Sequence, residues 1–270
     1  VRTHIKTMVI PAPHIPGSAL PLYGNMPDWN PAEVIGTSPS LLAISLYQYL
    51  IMDDTWAKQR AEYGYRDVRP SPLLFDFGGK PYVDVRASFT SFIPASVSEA
   101  LAATLLDFYL NWLRVHPELH DKVEFSVIPT CFTANMNKWA ERLITEGHFT
   151  DEEVKELFSG LHEITYAAFE RVQSDLAELK KLEDRFKHLR ENANLSPVEK
   201  ITCLLEDCRR FGTLPFAHLA RSGFVALTLL KDAVSAGIIS NSALESFLST
   251  ISTVSHDFYN DAQKVARGEM

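Results

Sequence analysis

Residues 71–89, SPLLFDFGGKPYVDVRASF, decide how the first half of the chain is read. Leu73, Phe75 and Phe77 alternate with other residues, Gly78-Gly79 offers a turn, and Val83, Val85 and Ala87 alternate on the return. Apolar residues with a period of two on either side of a glycine pair predict a β-hairpin. A two-residue loop sets Phe75 opposite Tyr82 and Leu73 opposite Asp84, and puts Asp84 and Arg86 on one face with Tyr82. Outward from the hairpin, KVEFSVI at 122–128 alternates as a further strand, and Thr7–Ile10 reads as a short one. Helices are expected over Leu41–Met52 behind Ser38 or Ser40, and from about Asp54 to Tyr63, stopped by Gly64. Another follows Ser96 or Ser98 and is ended by Pro117, and a short one covers Asn135–Glu146.

From Thr150 the period changes. Thr150 and Glu153 form a capping box. Leu157, Leu161, Ile164, Ala168, Val172, Leu176, Leu179, Leu182, Phe186 and Leu189 then recur every three or four residues. That stripe spans about forty residues, roughly 60 Å of α-helix, with Gly160 as the expected kink. Ser196-Pro197-Val198-Glu199 opens a helix that runs to Phe211 and stops at Gly212. A further helix runs from Pro215 to Ala236, and Ser242 with Glu245 opens the last. The expected fold is therefore α+β: a mixed region over 1–148 with a small sheet, then an antiparallel helical bundle or hairpin domain over 149–270. Proline follows the same division, with thirteen of fifteen at or before Pro129.

The chain has 270 residues and carries 26 basic against 34 acidic side chains, a net charge of −8. Such a balance disfavours a general nucleic-acid or anionic-membrane binder. Thr7–Pro27 and Val34–Met52 are long and uncharged, but their prolines, Gly36, serines and Gln48 exclude uniformly apolar membrane spans. Cys131, Cys203 and Cys208 have neither disulfide-framework nor CxxC spacing, so a reducing cytoplasm is expected. The sequence contains no glycine-rich phosphate loop and no GxSxG elbow. His162-Glu163 starts an HExxH pattern, but Tyr166 stands at its second histidine. Val1 at the start and Met270 just past a helical pattern suggest a piece of something larger.

Three segments concentrate chemistry. In GNMPDWNPAE, at 24–33, Asp28, Asn30 and Glu33 sit between prolines and could offer oxygen ligands to Mg²⁺ or a polar substrate. They could equally serve turn chemistry, with Glu33 starting a helix and Trp29 anchoring the loop. Asp84 and Arg86 are charges in an otherwise buried-looking strand, and must pair with each other or with Asp76 and Glu33, or Arg86 must meet a ligand such as a phosphate. Arg209, Arg210, His218 and Arg221 surround a junction between two helices, where a helix N-terminus beside arginines suits an anion. In the other reading Arg209 and Arg210 cap carbonyls and His218 points into the bundle.

GNMPDWNPAEVIGT, GYRDVRPSPLLFDFGGKPYVDVRASFTSFIPA and LLEDCRRFGTLPFAHLARSGFVA resemble the central part of divergent members of the phosphoenolpyruvate synthase / pyruvate phosphate dikinase family. The resemblance implies a section after the main ATP-grasp nucleotide-binding part and before the swivelling histidine domain. It implies Mg²⁺ and ATP, with Asp76, Asp84 and Arg86 as candidate contacts to the Mg-nucleotide; Asp28 and Glu33 of the 24–33 loop join Asp84 as the candidate metal ligands. It also implies an ATP-dependent phosphotransferase as the parent protein, with other domains of the same polypeptide as partners. The swivelling domain's glycine-rich histidine motif and the barrel are missing from this sequence, so the chain alone is not expected to complete phosphotransfer. The alternative is a non-catalytic helical scaffold or docking domain, for which the long apolar stripe suits a homodimer interface.

Overall fold

A computed structural model describes residues 14–17, 20–25, 29–251 and 254–268. The expected strand at Thr7–Ile10 and the candidate ligand Asp28 lie outside these residues. The fold is α+β, mostly helical, with one three-stranded antiparallel sheet among the described residues. Its strands are β1 (Tyr23–Gly24), β2 (Leu74–Asp76) and β3 (Pro81–Asp84), in the order β1-β3-β2. The hairpin has the expected register, with Phe75 opposite Tyr82. Its connection is four residues long: the Phe77 amide donates to the Lys80 carbonyl, and Gly78 and Gly79 take positive φ. Asp76 holds that turn by accepting from the Gly79 amide at 2.6 Å.

The return strand is shorter than its alternation suggests. It ends at Asp84, whose side chain accepts from the Arg86 amide and caps a helix over Val85–Thr90. All six residues of that helix are buried, so the two faces that strand alternation would separate are both inside. A good N-cap thus outweighs three residues of alternation. KVEFSVI is likewise no strand: Val123–Val127 forms a π-helical turn. Val123 and Val127 are buried while Phe125 is 47% exposed, and a spacing of four suits a helical turn as well as it suits a strand.

The helices, in chain order, are α1 (Pro31–Val34), α2 (Leu41–Tyr47, extended by a π segment Gln48–Met52), α3 (Thr55–Tyr63), α4 (Val85–Thr90) and α5 (Glu99–Val115). They continue as α6 (Asn137–Thr145), α7 (Asp151–Glu170), α8 (Val172–Glu191), α9 (Pro197–Asp207), α10 (Leu214–Ser235), α11 (Asn241–Ser249) and α12 (Val254–Ala266). The long stripe breaks at Arg171 and not at Gly160. Gly160 is instead a close-approach residue, since a Cβ there would stand 2.6 Å from the Pro94 Cβ. Burial along the stripe fades after Ala168, and Leu176 and Phe186 are each about half exposed.

Helices α9 and α10 are not separated by a loop. A π segment, Cys208–Thr213, carries one helix into the other past Pro215. Wider i→i+5 turns give the proline ring room and leave its missing N–H without consequence. The combined helix, Pro197–Ser235, has an apolar window of mean hydropathy 1.2 and is, among the described residues, long and apolar enough to cross a bilayer. The last expected helix is two. Ser240 caps α11, and Ser249 and Thr250 turn their hydroxyls onto the Ser246 and Phe247 carbonyls where it ends.

The chain divides into a unit of 1–132 with 137–225 and a second of 133–136 with 226–270. The change at 148–149 marks a switch in local structure that falls inside the first unit, where Phe108 of α5 packs edge-on against Phe149. That unit's core contains Trp56, Tyr63, Tyr65, Phe89, Phe92, Leu105, Leu106, Tyr109, Ile128 and Leu143. In the second unit, Asp232 accepts from the Asn135 amide at 2.9 Å.

Candidate functional site

A cluster of ionisable side chains is buried where α3, the 121–125 segment and the first turns of α10 meet. Helical spacing explains which residues gather there. Positions 59, 60 and 63 of α3 are buried, and positions 217, 220, 221 and 224 of α10 share one face by the i, i+3, i+4, i+7 rule. Arg221 is 6% exposed and grips Glu124 with both terminal nitrogens, one of them at 2.9 Å from Oε1. Arg60 approaches the same carboxylate at 4.0 Å and stacks on Phe92, its guanidinium carbon 3.8 Å from the ring centre. Tyr65, buried with its ring centre 5.9 Å from the Arg60 guanidinium carbon, donates to the Thr130 carbonyl at 2.6 Å.

Burial and charge act against each other in this cluster. Burial pushes the Glu124 carboxyl up, but the two arginines and the Arg221 hydrogen bonds outweigh it and hold it below the usual range. Burial and the like charge of Arg221 pull Arg60 down to about 9, with Glu124 opposing. Burial also opposes the charge on Arg221, and Glu124 overcomes it, so its pKa ends above the ordinary value. Burial raises Tyr65. Perturbed groups converging on one cavity define the default place for ligand chemistry.

Above the cluster opens a pocket of about 330 Å³. Its walls are aromatic, with Trp29, Phe125, Phe216 and Phe224, and Gln59, Glu124 and Arg221 supply polar groups. Phe125 and Phe224 lie with ring centres 4.8 Å apart, and Trp29 meets Phe216 edge-on at 6.3 Å. Trp29 has a φ of +53°, a left-handed conformation that is rare for a bulky side chain, and Tyr47 donates to its carbonyl. Gln59 is 2% exposed, and its Nε2 has no hydrogen-bond partner.

A neighbouring face of α10 lines a second cleft, of about 440 Å³, with Arg171, Asp175, Glu62 and Lys58. Arg171, at the α7–α8 break, donates to Asp175 at 2.9 Å and to the Glu62 carbonyl, and its terminal nitrogen lies 2.9 Å from His218 Nδ1. A guanidinium can only donate, so this contact makes Nδ1 the acceptor and leaves the proton of neutral His218 on Nε2. Asp175 Oδ1 lies 3.1 Å from the same Nδ1, where protonated His218 would form an ion pair. Burial first, then Arg171, lowers the His218 pKa to about 4, so the ring is neutral at pH 7.

The residues singled out by sequence are dispersed by the fold. Arg221 faces the first pocket, His218 and Arg210 line the second cleft, and Arg209 binds Glu206 and stacks on Tyr49. The continuous α9–α10 helix removes the helix N-terminus on which an anion site at their junction depended. Asp84 and Arg86 pair with each other in a buried bidentate bridge, with contacts of 3.1 and 2.7 Å. Asn30 caps α1 and donates to Glu33 at 3.1 Å, which is the turn chemistry. Among the described residues no group of three or more His, Cys, Asp or Glu could hold a metal ion. The Asp84 carboxylate is committed to Arg86, Glu33 accepts from Asn30, and Asp28 lies outside the described residues.

Gln59, Arg60, Glu124, Arg171 and Asp175 were not legible as site residues. The Arg171–Asp175 pair has the i, i+4 spacing of a helix bridge, a signal present in the sequence. Glu124 was hidden by reading its segment as a strand. Comparison with known proteins returned no matching family model, no matching curated protein and no matching solved structure.

Proposed function

We propose that this chain is an internal section of a phosphoenolpyruvate synthase-like, ATP-dependent phosphotransferase, and that its share of the nucleotide or substrate cleft is the pocket between α3, residues 121–125 and α10. The observation that supports this reading is the pocket itself: an aromatic-walled cavity over buried Arg60, Glu124 and Arg221. Phosphoryl transfer depends on positioning and charge neutralisation, so a domain can contribute a rigid binding wall without holding every reacting group. Asp84 and Arg86 have no part in this proposal, because each satisfies the other. Calorimetry of the whole chain with Mg-ATP and with phosphoenolpyruvate tests it. Binding of either that weakens at least fivefold in Phe216→Ala supports the proposal; no binding of either contradicts it.

A second reading, a helical scaffold that docks other domains of the same polypeptide, is favoured by an apolar groove of about 350 Å³ lined by Leu179, Leu182, Phe186 and Leu204. Leu176→Glu with Leu179→Glu would then abolish association with those domains and leave folding intact. Unchanged association would exclude this use of the groove.

A further inference from the structure

The pocket holds two kinds of chemistry, and the geometry separates them. Its charged side chains are Asp121, Lys122, Glu124 and Arg221, two of each sign. Glu124 occupies both terminal nitrogens of Arg221, so an incoming phosphate or carboxylate would have to displace a buried, bidentate partner. A ring that enters against the aromatic walls breaks no ion pair. Phe125 and Phe216 are 47% and 60% exposed, and Trp29 is held beside them by a left-handed backbone. Gln59 adds a carboxamide whose nitrogen is buried without a partner, an arrangement that costs free energy until something accepts its proton. A carboxamide presents a donor and an acceptor side by side, and it pairs with any planar edge that offers the complement.

Resting on the reading that this pocket belongs to the ligand cleft, we infer that it receives the uncharged, planar end of the ligand: a flat ring stacked against Trp29 and Phe125, its polar edge paired with Gln59. Gln59 is the specificity-determining residue, and charged groups of the same ligand lie outside the pocket, towards neighbouring domains. Amide pairing discriminates in a known direction, because a ring without a polar edge leaves the Gln59 nitrogen unpaired.

The test follows the Trp29 indole N–H, assigned through Trp29→Phe, by NMR in the whole 270-residue chain. The probes are benzamide, toluene, adenosine and inorganic phosphate. Benzamide and adenosine should shift Trp29, and benzamide should bind roughly tenfold more tightly than toluene, about one hydrogen bond's worth. Gln59→Leu, which keeps the volume and removes the amide, should erase the preference for benzamide over toluene and leave toluene binding unchanged. Phe125→Ala, at a half-exposed position, should weaken all three ring probes. Equal binding of benzamide and toluene, or a preference that survives Gln59→Leu, would overturn the inference. So would phosphate that shifts Trp29 and competes with benzamide. Mg-ATP binding that weakens in Phe216→Ala but ignores Gln59→Leu would refute the inference and leave the proposed function standing; loss of all Mg-ATP and phosphoenolpyruvate binding would refute the function.

Discussion

Arg86→Met separates the two roles open to the Asp84–Arg86 pair. Both side chains are buried to 3–4% exposure and bridge one another twice. Removing the guanidinium strands a carboxylate whose remaining hydrogen bond is to the residue 86 amide. Leaving one charge of a buried pair uncompensated costs about 3–5 kcal/mol. For a chain of this size, each kcal/mol lowers Tm by roughly 2–4 °C, so a fall on the order of 10 °C is expected. Asp84→Asn added to Arg86→Met removes the stranded charge and keeps an N-cap, and should restore most of the loss. Thermal melts followed by circular dichroism, with calorimetry of Mg-ATP on the same samples, give both readouts. If Arg86→Met melted with the parent chain while Mg-ATP affinity fell tenfold, Arg86 would be a ligand contact and the structural assignment would be wrong.

Three further outcomes are expected. Gly160→Ala, which in an open helix would stabilise by about 1 kcal/mol, should destabilise by about 1–3 kcal/mol because its Cβ meets Pro94 and Ser96; urea unfolding measures the sign. His218 has a native pKa near 4 against an ordinary 6.5, so the unfolded chain binds the extra proton. Its contribution is full above about pH 6.5 and is lost as pH falls towards 4, about 3 kcal/mol in total. His218→Gln should flatten the stability profile in that window relative to the parent, and parallel profiles would dismiss the assignment. Gly64 has a φ of +104° and its Cβ position lies 3.3 Å from Ile164, so Gly64→Ala should cost about 1–2 kcal/mol in the same urea assay.

Local signals in the sequence carried much of the fold. The hairpin register, the Ser40, Ser98 and Thr150 caps and the Gly64 stop depend on residues within a few positions of one another, and each is present in the structure. The misreadings arose where two local rules competed. Asp84 capping overrides strand alternation in Val85 and Ala87, and Pro215 looks like a helix boundary because a π segment that accommodates it leaves no mark in composition. The site was less legible still. Gln59, Glu124 and Arg221 are separated by 65 and 97 positions, and they share one pocket only because α3, residues 121–125 and α10 meet there. Arg221 was noticed as one of several cations, but its partner Glu124 could not be read from spacing.

The central claim is that ligand chemistry resides in the α3–α10 pocket and not at the Asp84–Arg86 pair. Amide and indole chemical shifts of the isotopically labelled 270-residue chain, titrated with Mg-ATP, address it directly. The account predicts shifts that cluster at Trp29, Gln59, Phe125, Phe216 and Phe224 and leave residues 84–86 unmoved. Shifts centred on Asp84 and Arg86, with the pocket silent, would contradict it.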